Sequence, residues 1–220
     1  MPDAVDRFRL LTYHRRKGEE IMQEEQVLVV ATRLLNLPKN NYLGDPHAVR
    51  SVLAVCSSNY RFMPRAAAEK NPEFKQLIPY VTIVCAGAVL GLERTAAQRE
   101  TRLHGKISLG VGGHINPVDQ GKTLEAIIAR AMARELKEEL WLETSNQPVL
   151  KGLINDDANS VGSVHLGLHY LLEVETKPAV RETDKMKAFW SSPIHLEALR
   201  PRMETWSQIL LPVLTNTGHL

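Results

Sequence analysis

The feature that most constrains the fold is a pair of glycines followed, about twenty residues later, by an acid-rich helical segment. Gly112 and Gly113 precede a predicted helix over residues 123–142, in which residues 134–139 read Arg-Glu-Leu-Lys-Glu-Glu. Because each helical residue advances about 100° around the axis, the three glutamates of this run share about a quarter of the circumference. A core-facing apolar stripe lies beside them, as in an amphipathic helix. The pattern predicts a glycine turn that leads into a helix packed on a core.

The three glutamates of the helix, Glu135, Glu138 and Glu139, require an explanation. Carboxylates three and four residues apart repel each other, and acids late in a helix oppose its macrodipole. Arg134 can pair with Glu138 but does not neutralise all three charges. Hard cations such as Mg²⁺ take oxygen ligands, so the segment predicts a divalent-metal site. An ordinary acid-rich helix end remains the alternative, and the glycine turn upstream favours the metal site.

The same run resembles the Nudix box, G-x5-E-x7-R-E-U-x-E-E-x-G-U, in which U is an aliphatic residue. The box marks hydrolases that cleave diphosphates linked to another moiety. Its second half is matched in full by residues 134–139, and Gly113 matches its first glycine.

Three departures from the box are present. Twenty residues, rather than thirteen, separate Gly113 from Arg134. Ala126 stands eight positions before the arginine, where a glutamate is expected, although Glu125 and Asp119 are near. Trp141 replaces the late glycine of the box.

The resemblance extends beyond the box to a bacterial Nudix subgroup described as predicted phosphoesterases. Its further matches are residues 74–80, 152–157, 164–167 and 204–208. It implies an α/β fold, the Nudix α/β/α sandwich with a mixed sheet. We expect a Nudix-like domain over residues 79–220, preceded by an N-terminal extension over residues 1–78. That extension has three possible roles, as a lid, as a dimerisation element or as an extra layer of the sandwich, and the sequence does not choose among them.

The resemblance also implies roles for residues of the box. The three glutamates would hold Mg²⁺ or Mn²⁺, with a backbone carbonyl near Gly113 as a further ligand. Arg134 would orient the acids. Gly112 and Gly113 allow close backbone approach, and His114 would contact either phosphate or a structural partner.

Residues outside the box are the candidates for the remaining roles. Nudix enzymes often draw a general base from an acid beyond the box, which here means Asp156, Asp157 or Glu182. Arg102, with His104 and Lys106, could bind an anionic substrate. The alternative is that these three residues lie in an ordinary solvated loop.

Two histidines and two tryptophans are less specific signals. His165 and His169 share a predicted strand face with Glu173, and imidazole is a common metal ligand. No third ligand stands out, so a polar sheet face is favoured. Trp190 and Trp206 could stack on a base, but large aromatic residues more often serve packing.

Composition excludes several classes of protein. A net charge of +2 over 220 residues is too small to indicate a nucleic-acid polymer as partner. Cys56 and Cys85 lack metal or redox spacing, which favours buried free thiols. No secretory signal is visible in the sequence. The longest apolar run, residues 81–92, is too short to span a membrane. We therefore expect a cytoplasmic protein. A homodimer is left open.

Periodicity and turn residues predict the remaining elements. Strands are predicted at residues 27–31, 81–85, 89–92, 107–111, 149–154, 164–174 and 188–190. Further helices are predicted at residues 47–57, 194–199 and 203–214. Residues 36–45 are predicted as loop, and residues 59–70 as irregular.

The leading hypothesis is metal-dependent hydrolysis of a diphosphate bond in a nucleotide-derived or related small molecule. The alternative is a non-catalytic ligand-sensing or regulatory module of the same fold, motivated by the altered spacing and Trp141. The intact acidic triad argues against that alternative. Isomerisation of an isoprenoid diphosphate also occurs among Nudix relatives, but no residue selects it here.

Overall fold

The apolar runs of the sequence form one large mixed sheet in the computed structural model, which describes residues 24–95, 105–181, 183–184 and 186–216. The strands are β1 Gln26–Ala31, β2 Asn41–Leu43, β3 Arg61–Pro64, β4 Phe74–Cys85, β5 Ala88–Arg94, β6 Ile107–Ser108, β7 Val111–Gly112, β8 Leu140–Trp141, β9 Val149–Asn155, β10 His165–Glu173, β11 Ala179–Val180 and β12 Met186–Ser191. The helices are α1 Pro46–Asn59, α2 Arg65–Ala68, α3 Leu124–Glu139, α4 Pro193–Leu196 and α5 Thr205–Asn216, with 3₁₀ turns at Thr32–Leu34, Gly162–Val164 and Glu197–Arg202.

The long strand β4 organises the sheet. Along one side it pairs in parallel with β10, from Gln76 opposite His165 to Val84 opposite Glu173. Along its other side it pairs in turn with β1, β7 and β5, all antiparallel. The main strand order is β12-β5-β4-β10-β9-β2, with β3 added to β1 and β6 to β5, while β8 and β11 form a separate pair. The position of β4 therefore fixes the positions of the strands on both of its sides.

Helices cover both faces of the sheet. Apolar residues of α1 and α3 share one buried cluster with Leu77, Leu153 and Leu166 of the strands. On the opposite face, α5 packs Leu210 and its neighbours against Ile154. The α/β/α sandwich with a mixed sheet, expected from the sequence, is confirmed.

Local sequence explains the main boundaries. The β4–β5 hairpin turns at Ala86 and Gly87, with φ of 49° and 75°, the pair of positive values that a two-residue hairpin turn requires. Thr123 caps α3 by accepting a hydrogen bond from the amide of Ala126 at 3.3 Å. The turn falls between the strands predicted at residues 81–85 and 89–92, and the cap is the first residue of the helix predicted over residues 123–142.

The predicted strand at residues 107–111 is instead two short strands, β6 and β7. Ser108 Oγ donates to the carbonyl of Gly110 at 2.8 Å, which breaks the ladder. An ideal Cβ on Gly110 would lie 2.5 Å from the Tyr80 ring, so only glycine fits there. The interruption redirects the chain towards the Gly112-Gly113 turn.

Other short elements also depart from expectation. The predicted loop at 36–45 contains β2, which pairs with β9, and the predicted irregular segment 59–70 contains β3 and α2. The predicted polar face of β10 is largely buried, and His169 is 1% exposed. In each case the partner strand or covering helix is remote in sequence, so local composition did not indicate it.

Residues 24–78 belong to the same sheet as the rest of the chain. The boundary expected at residues 78 and 79 falls inside β4, and β1 pairs with the first part of that strand. Cys56 and Cys85 are free and buried, as predicted. Among the described residues, no helix is long and apolar enough to cross a membrane.

Leu28→Ala should test how far β1 is integrated. Leu28 is fully buried in the cluster shared with α1 and α3, so its truncation should cost about 2–5 kcal/mol in the free energy of unfolding. All three tryptophans lie beyond residue 79, so tryptophan fluorescence reports on that part of the chain. Denaturant unfolding followed by this signal should shift to lower concentration.

Leu34→Ala is the matched control, because Leu34 is 36% exposed, and its effect should stay within about 1 kcal/mol. An unchanged tryptophan transition in Leu28→Ala, with an earlier transition by circular dichroism, would instead identify residues 24–78 as a separate unit.

Candidate functional site

Arg134 of α3 ties the acidic end of the helix to the glycine turn. Its Nε and Nη2 donate to Asp119 Oδ1 and Oδ2 at 2.9 and 2.8 Å. Nη2 also donates to the carbonyl of His114 at 2.9 Å, and Nη1 donates to Glu135 Oε1 at 2.6 Å. The hydrogen bonds to Asp119 raise the pKa of Arg134 above its usual value. The guanidinium is thus a fixed cation between the loop and the helix.

Asp119 occupies the place of the first glutamate of the box. Six positions after Gly113 (113 + 6 = 119) is the position that the box assigns to that acid. Asp119 is 4% exposed and also accepts a hydrogen bond from the amide of Asn116 at 2.9 Å. The expectation of this acid at Ala126 came from counting back from Arg134. Counting forward from Gly113 instead gives Asp119. The seven residues by which this chain exceeds the spacing of the box therefore lie between Asp119 and Arg134.

Gly113 lies directly against Glu135. An ideal Cβ on Gly113 would overlap the Glu135 carboxylate, and one on Gly112 would lie 2.5 Å from the carbonyl oxygen of Pro79. Both glycines are therefore required by close approach. Burial raises the pKa of Glu135, Arg134 opposes the rise, and the charge of Glu138 adds to it.

The other two glutamates of the triad have different surroundings. The Glu138 side chain is 41% exposed, with Oε2 3.8 Å from Nη1 of Arg134. Glu139 is partly buried. Burial acts to lower the pKa of Arg94 on β5, but the carboxylate of Glu204 and, to a smaller extent, that of Glu139 raise it above its usual value. Within the described ranges, no three acidic, histidine or cysteine side chains are close enough together to hold a metal ion.

The donor set nevertheless fits a hard divalent ion. All three groups are carboxylates on one arc of α3, and glycine keeps the space beside Glu135 free of side-chain atoms. Oxygen donors of this kind are the preferred ligands of Mg²⁺ and Mn²⁺. Convergence on one ion requires Glu138 and Glu139 to change rotamer, which the exposure of Glu138 permits.

The backbone and the side chain of His114 lie in different environments. Its carbonyl accepts from Arg134, while its ring lies 5.6 Å from the ring of His165. Burial, with the nearby charge of Arg65, lowers the pKa of His114 to about 3, so the ring is neutral at physiological pH. It can act there as a hydrogen-bonding group.

Asp157 is not brought to the glutamates. Its carboxylate accepts from Lys75 Nζ at 2.8 Å and from Asn155 Nδ2 at 3.0 Å. Burial acts to raise the pKa of Asp157, but these partners hold it below its usual value. Asp157 follows β9, which lies three strand spacings from β7, or about 14 Å. Asp156, 2% exposed, accepts from the amide of Ala158, so both acids organise their own loop.

Lys75 was not singled out from the sequence. It is 1% exposed, and its ammonium also donates to the carbonyls of Gly162 and Ser163 at 3.2 and 3.1 Å. A lysine shortly before the apolar run 77–81 of β4 was the available signal. Its role is to hold the loop before β10.

The remaining candidates divide into three groups. Glu182, Arg102 and His104 lie outside the described residues. His169 is held by Tyr42 Oη at 2.9 Å and Thr82 Oγ1 at 3.2 Å, which indicates a structural histidine. Trp206 packs beside Gly167.

Replacing Asp119 by alanine should destabilise the fold. Arg134 would lose its bidentate partner while 19% exposed, although it would keep His114 and Glu135. We expect a loss of about 2–3 kcal/mol, measured by urea unfolding. Asp119→Glu, which restores a carboxylate, is the control and should recover most of the loss. Equal stability of the alanine variant and the wild type would contradict the assigned anchoring role.

Comparison with known proteins adds independent support. The chain is 38% identical over 179 residues to Protein YmaB of Bacillus subtilis (strain 168), covering 78% of this chain and 86% of YmaB. The crystal structure of Tm1382, a proposed Nudix hydrolase, superposes with a TM-score of 0.73 at 29% identity. It covers 87% of this chain and 99% of Tm1382. No family model matches the sequence.

These likenesses span most of the chain, and the box residues occupy one connected arrangement around Arg134. The chain therefore shares a family with YmaB, and it belongs to the Nudix hydrolase superfamily.

Proposed function

We propose that this protein is a Mg²⁺- or Mn²⁺-dependent hydrolase that cleaves a phosphoanhydride bond in a nucleotide-derived or related small molecule. The observation that carries the proposal is the position of Arg134. It binds Asp119, the His114 carbonyl and Glu135 at the same time. This network sets the acidic arc of α3 beside the glycine turn, where a diphosphate and a cation can meet.

Each residue of the site has a defined task in this proposal. Glu135, Glu138 and Glu139 hold the ion, which when bound polarises a phosphoryl oxygen and lowers the pKa of water. Arg134 keeps Glu135 against Gly113. Because Gly113 has no side chain, the substrate can approach the carboxylates closely.

The identity of the general base is a narrower proposal. Asp157 is not included, because its carboxylate is already paired with Lys75 Nζ at 2.8 Å. Glu182 is therefore the proposed general base from outside the box.

Glu138→Gln and Glu139→Gln should each lower kcat by about a hundredfold or more, because an amide is a weaker ligand than a carboxylate. The measurement is turnover of a panel of dinucleotides, nucleotide sugars and nucleoside triphosphates, with Mg²⁺, with Mn²⁺ and with a chelator. Titration calorimetry with Mn²⁺ should show a parallel loss of affinity. Glu125→Gln is the matched control, an exposed acid in the first turn of the same helix, and should retain activity.

Full activity in the two glutamine variants, or turnover that persists in chelator, would refute the metal-dependent mechanism. The non-catalytic alternative, a ligand-sensing module, predicts nucleotide binding without any product. Its motivating residue, Trp141, is 62% exposed and stacks against the Arg181 guanidinium at 3.4 Å.

Gly113→Ala should test the position of the Glu135 carboxylate without removing its charge. The added Cβ would displace the Glu135 carboxylate, and a shift of about 1 Å at a reacting centre costs on the order of a hundredfold in rate. Steady-state kinetics should show the loss mainly in kcat, with circular dichroism unchanged. Wild-type kinetics in this variant would mean that Glu135 is not part of the reacting geometry.

A further inference from the structure

Two histidine rings, those of His114 and His165, lie side by side on the sheet face opposite the acidic site. Their centroids are 5.6 Å apart, and their planes are inclined by 55°. The ring of His165 also lies 6.5 Å from that of Trp206 in α5, whereas the three glutamates belong to α3 on the other face of the sheet. The pair of rings is therefore separate from the acidic residues.

Each of the two rings has one nitrogen without a hydrogen-bond partner among the described residues. Nε2 of His114 is buried and unpaired. Nδ1 of His165 donates to the carbonyl oxygen of Val161, 2.7 Å away, since a carbonyl can only accept, and Nε2 of the neutral ring is then left as an acceptor. Histidines that bind metal ions typically make this same contact, because they bind the ion through one nitrogen and donate from the other to a carbonyl or carboxylate.

The separation of the two rings fits a single ion bound to both. A zinc–nitrogen bond is about 2.0–2.1 Å long, and a ring nitrogen lies about 1.1 Å from its own centroid, so the ion lies about 3.2 Å from each centroid. With the tetrahedral angle that Zn²⁺ prefers, the two centroids are then about 5.2 Å apart. The distance in the structure is 5.6 Å, which a small opening of that angle accommodates.

Gln76 supplies an oxygen atom beside the two rings. It is directly opposite His165 in the parallel pairing of β4 and β10, so both side chains lie on the same face of the sheet. Gln76 is 1% exposed, and its Oε1 and Nε2 are buried without a hydrogen-bond partner in the described part of the chain. A buried amide without partners costs stability. Coordination of an ion by Oε1 offsets part of that cost.

The cations near the two rings are each paired with carboxylates. Arg65, Lys75 and Arg134 lie close enough to help lower the pKa of one or both histidines, although burial is the larger cause. Arg65 forms ion pairs with Glu25 at 3.0 Å and with Glu69 at 2.7 Å, and the other two are paired as described above. The surroundings therefore carry no excess of positive charge against a bound cation.

An ion can reach the two rings from solvent in a form that they can bind. His114 and His165 are both partly exposed. Because burial lowers the pKa of each ring, both are neutral at physiological pH and need not lose a proton before they bind a metal.

We propose that His114, His165 and Gln76 form a binding site for one transition-metal ion such as Zn²⁺, with water completing its coordination. Imidazole nitrogen is a common ligand of Zn²⁺, Ni²⁺ and Cu²⁺, whereas Mg²⁺ takes oxygen ligands. The site differs from the acidic arc of α3 in donor atoms and in position, so it does not depend on the proposed hydrolysis. A bound ion joins His114, next to the glycine turn, to β10 and thereby stabilises the fold.

Calorimetric titration with Zn²⁺ tests the site, in excess Mg²⁺ so that the carboxylates of α3 are occupied. The wild type should bind Zn²⁺, and His114→Asn and His165→Asn should each weaken the affinity by at least about tenfold. Asparagine at position 165 keeps a donor for the carbonyl of Val161 and removes Nε2. His47→Asn, at an exposed histidine of α1, is the matched control and should leave the affinity unchanged.

Thermal unfolding and the amide variant give a second measurement. Saturating Zn²⁺ should raise the Tm of the wild type by several degrees, because the ion binds the folded arrangement, and should raise that of either histidine variant less. Gln76→Leu should weaken the affinity for Zn²⁺ as well. Without metal its Tm should be unchanged or higher, because the variant removes a buried amide that has no partner among the described residues.

Two outcomes would overturn the site. One is an affinity for Zn²⁺ equal to that of the wild type in both histidine variants. The other is binding of Zn²⁺ that excess Mg²⁺ abolishes, because the ion would then lie at the glutamates. Electron paramagnetic resonance of the Cu²⁺-loaded wild type, again in excess Mg²⁺, does not depend on the folding of any variant. Coupling to imidazole nitrogen would support the site, and a spectrum of oxygen ligands alone would overturn it.

Discussion

The ion pair between Arg134 and Asp119 is the interaction on which the site depends. It joins a helix to a loop fifteen residues earlier, and both partners are largely removed from solvent. Because the same guanidinium binds the His114 carbonyl and Glu135, one cation sets the backbone of the glycine turn and the first of the three acids. A buried charge pair of this kind contributes geometry more than net stability, and here the geometry is that of the candidate active site.

Two cation–carboxylate pairs of the described residues, each with one almost fully buried partner, have different uses. Lys75 and Asp157 are committed to each other and to the loop before β10, which accounts for both charges within the fold. At Arg134 the balance is incomplete, because one guanidinium faces Asp119, Glu135 and Glu138. A cluster with more carboxylates than cations favours the binding of a further cation, whereas a pair of one cation and one carboxylate does not. The contrast explains why Asp157 is a poor candidate for catalysis although its sequence context is acidic.

Much of the fold was predictable because its signals are local. The β4–β5 hairpin follows from apolar runs on either side of Ala86 and Gly87, and α3 from Thr123 and its amphipathic pattern. The arc of three glutamates likewise follows from helical spacing alone. The split of one predicted strand into β6 and β7 did not, because it depends on Tyr80, which is remote in sequence. The burial of His169 also depends on remote partners, Tyr42 and Thr82.

The sequence by itself determined which residues carry charge on one side of α3 and that a glycine turn precedes them, since both follow from bond geometry and helical rotation. It also contained Asp119 at the spacing of the box, counted from Gly113. Only the tertiary structure decided that Asp119, rather than a residue of α3, holds Arg134, and that Gln76 lies unpaired beside His165. Those facts arise from strand register and helix packing between distant segments, which local periodicity does not encode.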